Sequence, residues 1–295
     1  ENDLSFTNFI AGENGVIKYW LDKGVKGFRL DVADELPDGI LDKIRLAVKR
    51  DSKENYLLGE VWEDASTKIS YGSRRRFLRG KQLDSVMNYP FANAIIDFVK
   101  NGKGQNLVNT VMSILENYPK PAVKLLMNHI GTHDTSRILT VLGSGYTPES
   151  REEQSRTHLY EEDYKKAVNR LKLAAVLQYT LPGVPSLFYG DEAGVEGYGD
   201  PFCRATYPWG RENMELLDFY KHLGKFRRNN SAFKEGEFVP IFADDTMVAY
   251  IRTDGKNTVL TAVNTGVNTV QIEVPKEYGG KGYVVYPNSY ILESI

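Results

Sequence analysis

The sequence predicts an α/β chain whose short strands pair in parallel, followed by a smaller antiparallel β region. Three observations predict it. Short apolar runs alternate with amphipathic helical stretches, and acids close three of those runs, in GFRLD at 27–31, LLGE at 57–60 and GTHD at 131–134. From about residue 235 the helices give way to alternating strands. Carboxylates at repeated strand ends converge in space when the strands are parallel, as in an α/β barrel whose site is built from the C-terminal ends of its strands.

The elements follow in order. ENGVIKYWLDK at 13–23 carries Val16, Ile17, Trp20 and Leu21 at helical spacing and stops at Gly24. VKGFRLD at 25–31 reads as the first strand, and Pro37 opens a helix to about Arg50 with Ile40, Leu41, Ile44, Leu46 and Val48 on its apolar side. NYLLGEV at 55–61 is the second strand and LDSVMN at 83–88 a short third, followed by helices over about 91–100 and 105–117. VKLLMN at 123–128 is the fourth strand, a long helix runs over about 161–181, and VPSLFYG at 184–190 is the fifth. A helix at about 213–229 closes this part. No strand pair is expected to be joined by a tight hairpin in this region, and the intervening helices imply right-handed parallel crossovers. Beyond it, MVAYIRTDGKNTVLTAVN reads as two strands around Asp254-Gly255-Lys256-Asn257, with QIEVP and YVVYP continuing the pattern. The expected domains are 1–232 and 233–295, with no long linker between them.

A closed barrel of this type needs eight strand and helix units, and the chain offers five. Either it is a piece of a longer protein, or its strands form an open doubly wound sheet. The second reading lacks a GxGxxG turn or a GxxxxGK loop to support it.

Composition excludes several classes. With 41% hydrophobic and 26% charged residues in 295, the chain can bury a sizeable core. A net charge of −2 gives no bulk attraction to nucleic acid or membrane, and the single Cys203 excludes an internal disulfide. No apolar run approaches a bilayer span, and ENDLSFTNFI lacks a leader-like pattern, although a cleaved signal upstream stays open.

The acids have chemistry to do. Arg29 lies two positions before Asp31, on the same face of a strand, and a guanidinium keeps a neighbouring carboxylate ionised, which suits a nucleophile. Glu60, followed by Val61 and Trp62, has an apolar and aromatic setting that suits a general acid. Paired carboxylates of this kind are the equipment of glycoside hydrolysis. Asp134 follows His133, a pair able to hold a sugar hydroxyl. Each acid alone could equally be a cap or a surface charge. His129 and His133 stand four apart like zinc ligands, but Gly131 and Thr132 between them argue for a loop, so no metal site is expected. The basic run Arg74, Arg75, Arg76, Arg79 and Lys81 reads as a solvated helix face, and Ser136 and Ser186 lack a GxSxG setting.

GFRLDVADE, LLGEVWEDAS and LMNHIGTHDTSR resemble three motif regions of the α-amylase family of glycoside hydrolases, in the family's order. The VADE tail is similar to that of the neopullulanase, cyclomaltodextrinase and maltogenic amylase branch. The resemblance extends over GVPSLFYGDEAG and the C-terminal β region. It implies a partial (β/α)8 TIM barrel, about the last five units, followed by an antiparallel β-sandwich. By the same motifs Asp31 is the nucleophile, Glu60 the acid/base and Asp134 the transition-state stabiliser of a retaining α-glucan hydrolase, with transglycosylation as a side activity. Arg29 and His133 are implied to bind the sugar at the cleavage point, Asp200 and Arg204 the next sugar on the non-reducing side, and Glu35 and Trp62 the acceptor side. Glu63 and Asp34 depart from the branch, which often has His and usually Asn there. The family motif with Asp and Asn-His on the third barrel strand is absent, as are the first three strands. The chain is therefore expected to be weakly active or inactive alone and to self-associate or pair with its missing half. No cofactor is implied beyond calcium, whose family ligands lie partly upstream. Cytoplasmic location follows from the branch resemblance, with secretion left open. A non-catalytic glucan-binding fragment and a glucosyl transferase or isomerase are the rival readings.

Overall fold

The computed structural model describes residues 3–295. These separate into two compact units, the chain through Pro90 with Met112–Met127, and Phe91–Val111 with Asn128–Ile295. Glu1 and Asn2, part of the segment searched for a leader, lie outside the described residues.

In the first unit β1 (Gly27–Leu30) pairs in parallel with β2 (Tyr56–Gly59), Arg29 opposite Leu58 and Leu30 opposite Gly59. A small antiparallel hairpin follows, β3 (Ile69–Ser70) with β4 (Ser73–Arg74). Next comes β5 (Ser85–Val86), parallel to β2, and Met87 then bridges Met127 in parallel. The helix Asp38–Lys49 crosses between β1 and β2, as parallel pairing requires. Its Ile40, Leu41, Ile44 and Val48 are buried, whereas Leu46 is exposed. Gly59 is dictated by packing, since a Cβ there would meet Leu83 Cδ1 at 2.3 Å.

Other expectations fail in this unit. The β3–β4 hairpin is a tight turn where none was expected; Tyr71 and Gly72 both take positive φ, of 52° and 73°, and turn the chain within two residues. The basic run is no solvated helix face either. Arg74 lies in β4, and Arg75 is buried, donating to Asp34 O at 2.8 Å and paired with Asp38 at 3.2 Å. A guanidinium can be buried only where oxygens meet its donors, and the loop after β1 presents them.

The segment expected as a strand at 123–128 is mostly helical, with a helix at Lys120–Lys124 and only Met127–Asn128 extended as β6. Pro119 caps that helix and Pro121 sits in its first turn, where a proline costs no hydrogen bond. The fifth strand is likewise only Val184–Pro185, β7.

The second unit is organised by the helix Glu161–Thr180, whose Ala167, Leu171, Ala174, Ala175 and Leu177 are buried. An antiparallel sheet in the order β13-β10-β9-β8 packs on it; β8 is Glu237–Ala243, β9 Met247–Thr253, β10 Thr258–Asn264 and β13 Ser289–Ser294. A second pair, β11 (Val270–Glu273) with β12 (Gly282–Val285), shares a core with that sheet through Met247, Ile251, Leu260, Ile272 and Val285. Tyr250 and Arg252 tie the sheet to the helix end, at 2.6 Å to Thr180 Oγ1 and 2.7 Å to Thr180 O. The Asp254–Asn257 turn joins β9 to β10 as the sequence predicts. The strand β8 had no sequence signal beyond scattered apolar residues. Among the described residues no barrel closes, and no helix is long and apolar enough to cross a membrane.

Candidate active site

The first unit assembles five of the expected residues around two strand ends. Asp31 follows β1 and Glu60 follows β2, and the ladder continues past both strands: Glu60 N–H donates to Leu30 O at 2.9 Å and Ala33 N–H to Glu60 O at 3.0 Å. Arg29 projects from β1 and joins both carboxylates, hydrogen-bonding Asp31 through Nη1 and lying 2.9 Å from Glu60 Oε2 through Nη2. The Nη2 contact is an ion pair whose angle falls short of a hydrogen bond. The two acids differ sharply in surroundings. The Asp31 side chain is 73% exposed and that of Glu60 only 4%.

Glu60 is set among donors as well as rings. Its Oε1 accepts from Trp62 Nε1 and from the Tyr89 hydroxyl, each at 3.2 Å, and Oε2 accepts from Val32 N–H at 2.9 Å. Trp62 stacks on Tyr89 with centroids 4.4 Å apart and an interplanar angle of 11°. The apolar, aromatic wall is therefore present, but each ring also aims a polar hydrogen at the carboxylate. The Val32 amide reaches Glu60 because Val32 sits at φ 43°, ψ 51°, a left-handed conformation that costs a β-branched residue roughly 1–3 kcal/mol. Neither Tyr89 nor Val32 stands out in the sequence; the only signal for Tyr89 is its place just after the third strand.

The two departures from the branch pattern share a counter-ion. Lys68 pairs with Asp34 at 2.9 Å and with Glu63 at 2.6 Å, and both acids push its pKa up. One ammonium thus offsets part of the negative charge at these two positions. Glu35 ends the short 3-10 turn Ala33–Glu35 and accepts a hydrogen bond from the Tyr71 hydroxyl.

The remaining expected residues lie in the second unit. His133 Nε2 is 3.1 Å from Asp134 Oδ2, and Arg204 Nη2 is 3.4 Å from Asp134 Oδ1. Arg204 Nε reaches Asp200 Oδ1 at 2.8 Å and His133 O at 3.1 Å. One guanidinium thus gathers Asp134 and Asp200, a larger role than a lone loop ion pair. Behind this loop Arg137 is fully buried, donating to Cys203 O at 2.6 Å and to Tyr189 O, pairing with Asp191 at 3.2 Å, and lying 4.0 Å from the centroid of Phe188. Burial pushes the Asp191 carboxyl up to about 7 against the pull of Arg137. Among the described residues no three His, Cys, Asp or Glu side chains cluster as metal ligands do.

His129 is a structural residue of the second unit, with its pKa lowered to about 4 by burial. As pH falls, the unfolded imidazole takes its proton near 6.5 and the folded one only near 4, which favours unfolding by about 1.4 kcal/mol per pH unit inside that window. We therefore expect the urea midpoint of His129→Gln, relative to wild type, to rise as pH drops from 6.5 to 4; a constant difference across that range refutes the assignment.

The alpha-amylase catalytic-domain model matches residues 9–207. The chain belongs to the alpha-amylase family. It is 38% identical over 278 residues to an amylopullulanase of Thermoanaerobacter thermohydrosulfuricus, covering 87% of this chain and 18% of that protein. It is 35% identical over 297 residues to a cyclomaltodextrinase of Thermoanaerobacter pseudethanolicus, covering 94% of this chain and 46% of that one. Among solved structures, a cyclomaltodextrinase superimposes with a TM-score of 0.73 at 30% identity, over 88% of this chain and 41% of that chain. The chain thus spans less than half the length of each of these relatives. Maltogenic amylase and neopullulanase relatives, at 32% and 30% identity, agree with the branch that the VADE tail resembles.

Proposed function

We propose that this alpha-amylase family chain is the C-terminal part of a retaining α-glucan hydrolase, supplying about five strand and helix units of a (β/α)8 barrel and the β-sandwich that follows. The observation that carries the proposal is Arg29 joined to two unequal carboxylates at neighbouring parallel strand ends. A single planar fork holding both supports the short carboxyl separation of retaining enzymes rather than the wide gap that accommodates water in inverting ones.

In the mechanism this supports, the exposed Asp31 carboxylate attacks the anomeric carbon while Glu60 donates its proton to the departing glycosidic oxygen. Glu60, now an anion, takes a proton from water, which attacks the same carbon and releases Asp31. Attack by a second sugar hydroxyl in place of water gives transglycosylation. Trp62, Tyr89 and the Val32 amide hold Glu60 toward that oxygen through both protonation states. Asp134 is assigned by its motif to stabilising the sugar cation, with His133 and Arg204 orienting it and Asp200 beside Arg204 contacting the next sugar. No step is routed through a metal.

The test is turnover of maltooligosaccharide, cyclodextrin and pullulan by the full-length protein and by this chain alone, with the anomer of the first product read by NMR. Release of the α-anomer from the full-length protein supports the reading, and β-anomer as first product overturns retention. The limited coverage of the relatives favours a second reading for the isolated chain, that of a glucan-binding fragment without turnover. Leu4, Phe9 and Trp20 are exposed in the amino-terminal helices, as edges awaiting a partner are. We expect this chain to self-associate, or to pair with the complementary barrel half, and a monodisperse monomer in light scattering that ignores that half counts against it.

A further inference from the structure

Residues 144–160, between the helices Ile138–Gly143 and Glu161–Thr180, have no role in the chemistry above, yet they are bonded along the 196–204 segment that carries Asp200 and Arg204. At one end Ser144 Oγ lies 3.3 Å from the Tyr198 hydroxyl, and at the other Leu159 N–H donates to Glu196 Oε2 at 2.7 Å. Between these ends the helix Arg151–Arg156 opens on a capping box. Ser150 Oγ accepts from Glu153 N–H at 3.1 Å, and Glu153 Oε2 accepts from Ser150 N–H at 3.3 Å. The box fixes the backbone from which Arg151, the first residue of that helix, projects. Arg151 Nη2 donates to Asp200 O at 3.2 Å, and its guanidinium lies 5.9 Å from the Phe202 ring centroid.

Arg151 thus holds the main chain at Asp200 and the ring two residues on. The Asp200 and Arg204 side chains are 54% and 44% exposed, so packing does little to fix them, and their placement depends on the backbone that bears them. A group that grips a ligand from an exposed loop binds only in the fraction of molecules whose loop is in place, and the affinity weakens by the inverse of that fraction. Whatever steadies the Asp200 backbone therefore strengthens its grip without touching the ligand. We propose that Arg151 is a positioning residue for the sugar next to the one being cleaved: it acts through Asp200, which it holds in the arrangement that contacts that sugar. This role rests on the glucan-hydrolase reading above, and it makes residues 144–160 a determinant of affinity for longer glucans.

The test compares maltohexaose with α-glucosyl fluoride, which carries only the ring being cleaved, in the full-length protein and its Arg151→Ala variant. Arg151→Ala is expected to raise KM for maltohexaose about fivefold, the scale of one hydrogen bond, with kcat, α-glucosyl fluoride turnover and the urea midpoint unchanged. Hydrogen exchange is expected to quicken along residues 197–204. In an Asp200→Ala background the same substitution should lose most of its effect, because the side chain it positions is gone. An unchanged KM for maltohexaose, an effect that adds in full to that of Asp200→Ala, or equal losses on both substrates overturns the role. Calorimetric titration with maltohexaose separates the two readings. Binding weakened by Arg151→Ala only while Asp200 is present, in a protein that cleaves neither substrate, keeps the positioning role and removes the hydrolase; cleavage of both with no dependence on Arg151 does the reverse.

Discussion

Asp31→Asn in the full-length protein is expected to lower kcat on maltooligosaccharides by about 10⁴-fold or more, the scale seen when a nucleophile is removed from a site that works as a unit. An amide is nearly isosteric with the carboxylate but carries no negative charge to form the glycosyl-enzyme bond. Its contact with Arg29 also changes, because the amide offers one oxygen and no charge to Nη1. The loss should fall on kcat rather than KM, since the sugar contacts remain. Glu60→Gln is expected to cost less, about 10²–10⁴-fold as for a general acid, and to spare substrates whose leaving group needs no proton. Anomeric NMR and single-turnover kinetics distinguish the two. Normal turnover by Asp31→Asn would falsify the nucleophile assignment.

Arg137→Ala is expected to destabilise the second unit by about 3–5 kcal/mol, the usual cost of removing one partner from a buried ion pair. Asp191 is left fully buried without its cation, and the carbonyls of Tyr189 and Cys203 lose their donor. The Phe188 face loses its guanidinium as well. Against a typical stability of about 5–15 kcal/mol this is a large fraction. Replacing both partners, Arg137→Met with Asp191→Leu, should recover much of the loss because no buried charge then remains. Since Arg137 ties down the backbone next to Arg204, the single variant should also weaken glucan affinity in protein that stays folded. Urea unfolding and hydrogen exchange along residues 189–204 provide the measurements. A change below about 1 kcal/mol means that the pair is not structurally important.

Much of the carboxylate pair in the first unit was legible because it is local. The period of two in β1 sets Arg29 and Asp31 on one face, and the strand endings at Leu30 and Gly59 bring Asp31 and Glu60 to adjacent ladder positions. Other features were not legible. Arg75 looks like surface charge in a run of arginines, and its burial is made tolerable by the carbonyls of Asp34 and Leu36, 41 and 39 residues away, and by the carboxylate of Asp38, 37 residues away. The β3–β4 hairpin is missed because its strands are two residues each, too short for alternation to register. The helix Lys120–Lys124 hides inside an apolar run that reads equally well as a strand.

Periodicity and breaker residues act within a few positions, so the chain's own order of residues was enough to assign strands and helices over most of the α/β part and to pick out the acids that end the strands. It also carried the motifs that mark the family. Trp62 is a near neighbour of Glu60 in the chain, but the other two donors to Glu60 came from long-range folding: the Val32 amide 28 residues before it and the Tyr89 hydroxyl 29 residues after it. The same holds for the Lys68 bridge between Asp34 and Glu63, and for Tyr71 meeting Glu35 across 36 residues. Such partners are chosen by how strands stack and loops fold back, and that geometry has no local period in the chain.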